Sequence, residues 1–304
     1  SCDIINALRL ADPSLVIRVV TDLPVEFLRS RLDLPMDAYR AGSFDVGMVQ
    51  LDSIRVDVPQ TLDRVTRLAA RRPELIRQEM QFLTEQQAGA VVCDIPAIPL
   101  EAARLVGLPA LAVGNFAWDW IYEDFLASDP RWADLVELFR SAYARTDLLL
   151  RLPFSEPMAA FPRQKELPLV SIPGRPRREE IAALHGIDPG LTWTLLSFTS
   201  LDLDDEAVRR MATNKGHAFL TMKPLEWKHE RFYSIDRHRF AFADVMATID
   251  VVVTKPGYGI LSEAVVNGKP LVYAERTDFR EYPVLEAALK RHLRHQHIPA
   301  VELY

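Results

Sequence analysis

The chain has 304 residues, long for one hydrophobic core and comfortable for two domains of ~150 residues each. Its 49% apolar and 26% charged residues are ordinary for a soluble globular enzyme. A net charge of −6 and the lack of a basic, aromatic-studded stripe argue against a nucleic-acid partner.

Two cysteines, Cys2 and Cys93, are too few for a disulfide framework or a zinc site, and they suit a reducing cytoplasm. No apolar run approaches the ~18 residues a membrane helix needs, so no integral membrane segment is expected, and no signal peptide is visible.

In chain order, residues 4–10 read as the remainder of a helix, 15–21 (LVIRVVT) as a strand and 24–31 as a short helix. Loose alternation over 44–58 suggests a hairpin or a loose strand pair. Residues 59–87 are helical in pattern, with Pro73 expected to break or kink the helix. Strand 91–95 (VVCDI), helix 99–106, strand 109–113 and helices to 145 follow, then strand 148–152. Pro153, Pro157 and Pro162 mark a linker. Beyond them the alternation restarts with strand 169–172, helix 178–185, strand 192–198, helix 204–211, strand 218–222 and helix 242–248. Strand–helix alternation in both halves predicts two parallel-sheet α/β domains, 1–152 and 153–304, with ligands at the carboxyl ends of the strands.

The stretch DVVVTKPGYGILSEAVVNGKPLVYAERTDFREYPVL is the most informative. A β-branched strand at 250–254 leads into Lys255-Pro256-Gly257-Tyr258-Gly259. A helix at 260–267 then stops at Asn267-Gly268, and a second strand follows at 271–274. A glycine loop opening on a helix N-terminus presents unpaired N–H groups and a positive dipole end, which suit a phosphate or diphosphate. Glu263, placed in the first turn, could accept hydrogen bonds from a ribose; the bland alternative is a carboxylate favouring the helix dipole. The loop is neither G-x-G-x-x-G nor a P-loop.

Other polar residues stand at strand ends. In the first half these are Asp94, Asn115 and Asp119, the last two equally readable as caps of the helix that carries Trp118 and Trp120. Two apart on a helix, those tryptophans point in different directions and are not both expected in the core; one is expected to form an apolar platform. In the second half they are Thr199, Ser200, Lys255, Thr277, Asp278, Arg280 and Glu281, with Asp278 and Glu281 also fitting a capping-box variant. His292, His295 and His297 lack carboxylate or cysteine companions at ligand spacing. A solvated patch, with His292 and His295 on one helix face, is expected rather than a metal site.

Two long segments carry a resemblance. KPGYGILSEAVVNGKP followed by RTDFREYPVL resembles the donor-domain signature of GT-B glycosyltransferases. It is close to a branch that includes the N-terminal region of plant L-arabinokinases and stand-alone bacterial homologues. VVCDIPAIPLEAARLVGLPALAVGNFAWDWIYEDF and RLPFSEPMAAFP are similar to the same branch. The resemblance implies two Rossmann-like domains facing across a cleft, with the acceptor on the first and the nucleotide-sugar donor on the second. It places the diphosphate on the loop from Gly257 to Leu261, which includes Tyr258 and Gly259, with Ser262 also among the donor-binding residues, and the donor ribose on Glu263. Thr277 to Glu281 then approach the donor sugar, and Asn115 faces the acceptor.

The branch normally begins with a strand and a Gly/His-rich loop, a candidate position for the base. This chain starts after that point, so a first strand ahead of Ser1 and residues beyond Tyr304 are both expected. Where relatives have glycines after strand LLSF, Phe198-Thr199-Ser200 stands here. No kinase-type phosphate loop is present, and no D-x-D-like motif is positioned to hold a metal. The function implied is metal-independent transfer of a sugar, UDP-sugar favoured, to an acceptor hydroxyl. The base is not carried over by the resemblance, and the candidate catalytic residues are Asp94, Asn115 and Asp119. Beyond the donor as co-substrate no cofactor is expected. The alternatives are a non-hydrolysing sugar-nucleotide 2-epimerase and a non-catalytic sugar-nucleotide or glycan-binding module.

Overall fold

The structure, a computed structural model, describes residues 1–51, 55–198, 205–225, 229–276 and 278–300. Its internal contacts divide it into two units, Ser1–Val49 with Asp57–Val170, and Gln50–Val56 with Ser171–Tyr304.

The first unit runs α1 (Cys2–Ala11), β1 (Val19–Thr21), α2 (Val25–Arg29), β2 (Tyr39–Ala41), α3 (Val58–Glu85), β3 (Val91–Cys93) and α4 (Ala97–Leu105). It continues through β4 (Ala110–Gly114), α5 (Trp118–Glu123), α6 (Arg131–Tyr143), β5 (Leu148–Arg151) and β6 (Gln164–Glu166). β1 and β2 form a parallel pair, and β3-β4-β5-β6 form a parallel four-stranded sheet. The proline-rich segment thus contributes β6, whereas residues 169–172, expected as a strand, form none.

Two local expectations are corrected. The Phe44 region is a loop whose described residues hold one antiparallel bridge, Gln50 with Val56, and no hairpin. α3 runs unbroken through Pro73, capped at its start by the Asp57 carboxylate on the Gln60 N–H at 2.8 Å. Proline removes one ladder bond, but Leu62 and Val65 before it and Leu75, Ile76 and Leu83 after it are buried in one core. That shared burial holds both halves of the helix against one core, so the proline does not break it. Trp132, Tyr122 and Tyr143 sit in this core fully buried.

The second unit contains α7 (Arg178–His185), β7 (Thr192–Ser197), α8 (Asp205–Ala212), β8 (His217–Thr221), β9 (Phe232–Ser234) and α9 (Phe242–Thr248). After these come β10 (Val251–Thr254), α10 (Tyr258–Asn267), β11 (Leu271–Ala274), α11 (Tyr282–His292) and β12 (His295–Ile298). All its strand pairs are parallel, in the order β12-β11-β10-β7-β8-β9. Numbered within the unit this is 6-5-4-1-2-3, a doubly wound sheet whose order reverses between β7 and β10. β9 and β12 were not anticipated. His295 and His297 lie on the edge strand β12 rather than on a helix with His292, and His297 Nε2 meets Glu275 Oε2 at 2.8 Å. β12 (HQHI) is a short, mostly exposed and polar edge strand, and such a strand gives little sequence signal.

Packing pins the central strands. Trp193 on β7 is fully buried, and its indole N–H donates to the Asp188 carbonyl at 3.1 Å. Asp250 accepts the Trp193 backbone N–H at 2.8 Å and pairs with Arg178 at 3.1 Å. Among the described residues, no helix is long and apolar enough to cross a membrane.

Candidate functional site

The glycine loop falls at the point where the sheet order reverses. β10 and β7 are adjacent, Thr254 lies beside Ser197 in register, and the Thr254 hydroxyl donates to the Ser197 carbonyl at 2.7 Å. In doubly wound sheets the carboxyl ends of the strands at such a reversal are the usual ligand position. Thr199 and Ser200, which follow β7, lie outside the described residues.

α10 begins two residues earlier than expected, with Gly257 as N-cap (φ −163°, ψ 153°) and Tyr258 as the first helical residue. It ends as expected at Gly268, left-handed at φ +63°. Glu263 is therefore the sixth helical residue, in the second turn and not the first. The dipole effect falls off within the first turn, so the purely electrostatic account of Glu263 weakens. Its side chain is half-buried, as are Ser262 and Tyr258. Lys255 is half-buried too, its ammonium 3.4 Å from Gln50 Oε1.

Neither loop glycine has a positive φ. A Cβ on Gly257 would meet only Ile260 Cγ2 at 3.9 Å, and one on Gly259 would meet nothing within 4 Å. Gly259 thus sits exposed inside a helix with no conformational or packing reason to lack a side chain. Alanine at 259 is therefore expected to stabilise the fold by about 0.5–1 kcal/mol. If the loop cradles a diphosphate, the same change weakens nucleotide-diphosphate binding. Thermal unfolding and calorimetry on Gly259→Ala check both signs; a gain in stability without loss of binding removes the ligand explanation.

The loop after β11 lies against the glycine loop. Arg276 is buried, donates from Nη1 to the Pro256 carbonyl at 3.4 Å, and stacks its guanidinium 3.1 Å from the Phe279 ring centroid. Asp278 is exposed, Arg280 and Glu281 are half-buried, and Thr277 lies outside the described residues. α11 starts at Tyr282 with Pro283 behind it and Glu281 as N-cap, without a side-chain cap bond. The capping box of Asp278 and Glu281 is therefore not formed, because proline in the first turn sets the start of the helix.

Burial pushes Glu281 up to about 6 against the opposing pull of Arg276. Burial likewise lowers Arg276 to about 10 while Glu281 raises it. Because the folded value of Glu281 exceeds its unfolded one, the folded state binds the proton more tightly. Stability then falls as pH rises from about 4.5 to about 6. Glu281→Gln is expected to flatten that decline, read as unfolding midpoints across pH 4–7.

In the first unit the predicted residues separate. Asp94, after β3, is exposed and accepts from the Ser1 hydroxyl at 2.6 Å. The next residue, Ile95, is buried at φ +76°, an uncommon conformation for a β-branched side chain. Its carbonyl accepts from the Tyr143 hydroxyl at 3.1 Å. Gly114 on β4 makes room for it, since a Cβ there would stand 2.4 Å from Ile95 Cδ1. Asn115 spends its amide on the Pro153 carbonyl at 2.5 Å. Asp119 is buried in the first turn of α5, with Arg140 Nε 3.9 Å away, and burial raises its pKa. The N-cap of α5 is Ala117, so neither Asn115 nor Asp119 caps it.

Trp118 is buried in the core, stacked on Tyr122 at 5.4 Å, and Trp120 is half-buried against the same cluster. Trp118 is therefore no exposed platform. Its indole N–H donates at 3.1 Å to Asp45, a carboxylate that sequence reading missed. Burial raises Asp45 above the ordinary aspartate value, the Trp118 bond opposes this, and the charges of Asp94 and Asp22 add to it. Asp22, Asp45 and Asp94 follow β1, β2 and β3 in turn. Asp45 was hidden because the alternation around it suggested a hairpin.

No protein-family model matches the chain. Two units of parallel strands with intervening helices, the second doubly wound, define a GT-B fold. Among solved structures, the glycosyltransferase of kitacinnamycin is 15% identical with a TM-score of 0.61, covering 98% of this chain and 82% of that one. LpCGTa in complex with UDP is 17% identical with a TM-score of 0.57, covering 99% and 82%. In sequence the chain is similar to L-arabinokinase of Arabidopsis thaliana, 27% identical over 278 residues and 90% of this chain. It spans 27% of the length of that relative. The chain thus has the GT-B glycosyltransferase fold and resembles a segment of the plant arabinokinases.

Proposed function

We propose that the protein is a glycosyltransferase that takes its sugar from a nucleotide-diphosphate sugar. The observation that carries this is the glycine loop at the reversal of the sheet order, opening on the N-terminus of α10 with glycines that the fold itself does not require. A UDP sugar is favoured, in keeping with the UDP complex of a structural neighbour.

Amides of Gly257, Tyr258 and Gly259 and the dipole of α10 would take up charge on the departing diphosphate, with Lys255 and Arg280 adding positive charge. Ser262 lies on the same helix, and Thr199 and Ser200, which follow β7 in sequence, are the remaining candidates for the phosphates. Glu263, one turn further in, would accept the ribose hydroxyls. Asp278 and Glu281 would face the donor sugar.

On the first unit, Asp45 is the best-supported general base. It is oriented by Trp118, and like charges and burial raise its affinity for a proton. Asp94 stands beside it electrostatically, and Asn115 and Asp119 would shape the acceptor side. The acceptor oxygen attacks the anomeric carbon, its proton passes to the base, and the carbon–oxygen bond to the nucleoside diphosphate breaks.

Incubation with UDP sugars, with and without candidate acceptor alcohols, tests this reading. Acceptor-dependent release of UDP supports transfer. An isomerised sugar without release makes the protein an epimerase, and binding with neither makes it a recognition module.

A further inference from the structure

We propose that Arg276 grips the diphosphate of the donor, as the cation of the anion site formed with the N-terminus of α10. This rests on the donor reading above. Arg276 is 7% exposed, and two of its donors, Nε and Nη2, have no hydrogen-bond partner. Its third nitrogen reaches the carbonyl of Pro256, the residue just before the N-cap of α10. The guanidinium is thereby aimed at the helix end whose N–H groups lack intrahelical acceptors.

Glu281, the nearest opposite charge, makes neither a hydrogen bond nor an ion pair with Arg276 among the described residues. A paired structural arginine would use its fork on such a carboxylate. Here Phe279 stacks on the guanidinium face and holds its plane, leaving two nitrogen edges unbonded. Buried donors without acceptors are costly, and a guanidinium stays charged in any pH range a protein meets. Two adjacent N–H groups in a rigid fork match two oxygens of a phosphate. A diphosphate at the glycine loop would offer oxygen acceptors to these two donors.

The test is calorimetry on the full chain with UDP, uridine and inorganic pyrophosphate, comparing wild type, Arg276→Met and Arg276→Lys. Arg276→Met is expected to weaken UDP and pyrophosphate by about 10- to 100-fold while uridine binding holds. Its unfolding midpoint should stay level or rise, because an incompletely satisfied buried charge has been replaced by an apolar chain. Arg276→Lys keeps the charge without the fork and should fall between.

Equal UDP binding by wild type and Arg276→Met overturns the assignment while leaving the donor reading intact. Unfolding of both variants, or a matching loss of uridine, makes Arg276 a structural residue and also overturns it. Pyrophosphate binding by wild type that Arg276→Met loses, without any nucleotide binding, upholds the anion site and removes the donor reading. If wild type binds none of the three, both fall.

Discussion

Asp45→Asn should lower turnover by about 10²- to 10⁴-fold and leave UDP affinity unchanged, the loss expected when a general base is removed. Asparagine keeps an oxygen for the Trp118 indole N–H, which lies 3.1 Å from the carboxylate, so the local geometry is retained. Stability moves the other way. The folded-state pKa of Asp45 is raised, so its favourable contribution is present at low pH and lost as pH rises through that value. At neutral pH the ionised carboxylate therefore opposes folding, and Asp45→Asn should hold or raise the unfolding midpoint. Lower turnover with undiminished stability marks a group kept for chemistry. Asp94→Asn removes a neighbouring like charge and should shift the acid limb of the pH–rate profile downward. Turnover of Asp45→Asn within twofold of wild type would place the base elsewhere, with Asp94 and Asp119 next in line.

Glu263→Gln should weaken nucleotide-diphosphate binding by about 1.5–3 kcal/mol, the range for a hydrogen bond to a charged group. That is roughly a 10- to 150-fold change in affinity. Folding should barely respond, since Glu263 stands in the second turn of α10, beyond the reach of most of the dipole effect. Glutamine preserves the length of the side chain and one acceptor oxygen. Calorimetry with uridine, guanosine and adenosine diphosphates reads both the loss and the base preference. An unchanged affinity together with a lowered unfolding midpoint would assign Glu263 to the fold alone.

Much of the second unit was legible in the chain itself. Residues 178–185 form a helix with the bounds the pattern gives, and α10 ends at Gly268, where Asn-Gly followed by proline marks a stop. The start of α10 was misplaced by two residues because Gly259 is a poor helix former, and that error moved Glu263 into the wrong turn. Of the two tryptophans, burial removes Trp118 as a platform and leaves Trp120 half-buried. A tryptophan after a strand-end asparagine looks the same in sequence whether it faces ligand or core, and only burial separates the two.

The sequence by itself determined the strand–helix alternation, the glycine loop and the helix that follows it, since these depend on neighbours within a few residues. The tertiary structure alone decided that this loop lies where the sheet reverses, because β10 pairs with β7 across 57 residues of chain. It also brought Arg276 to the Pro256 carbonyl across 20 residues and Asp45 to Trp118 across 73. Burial, unmet hydrogen bonds and shifted proton affinities arise from such long-range neighbours. For that reason Arg276 and Asp45 emerge as candidates only once the chain is folded.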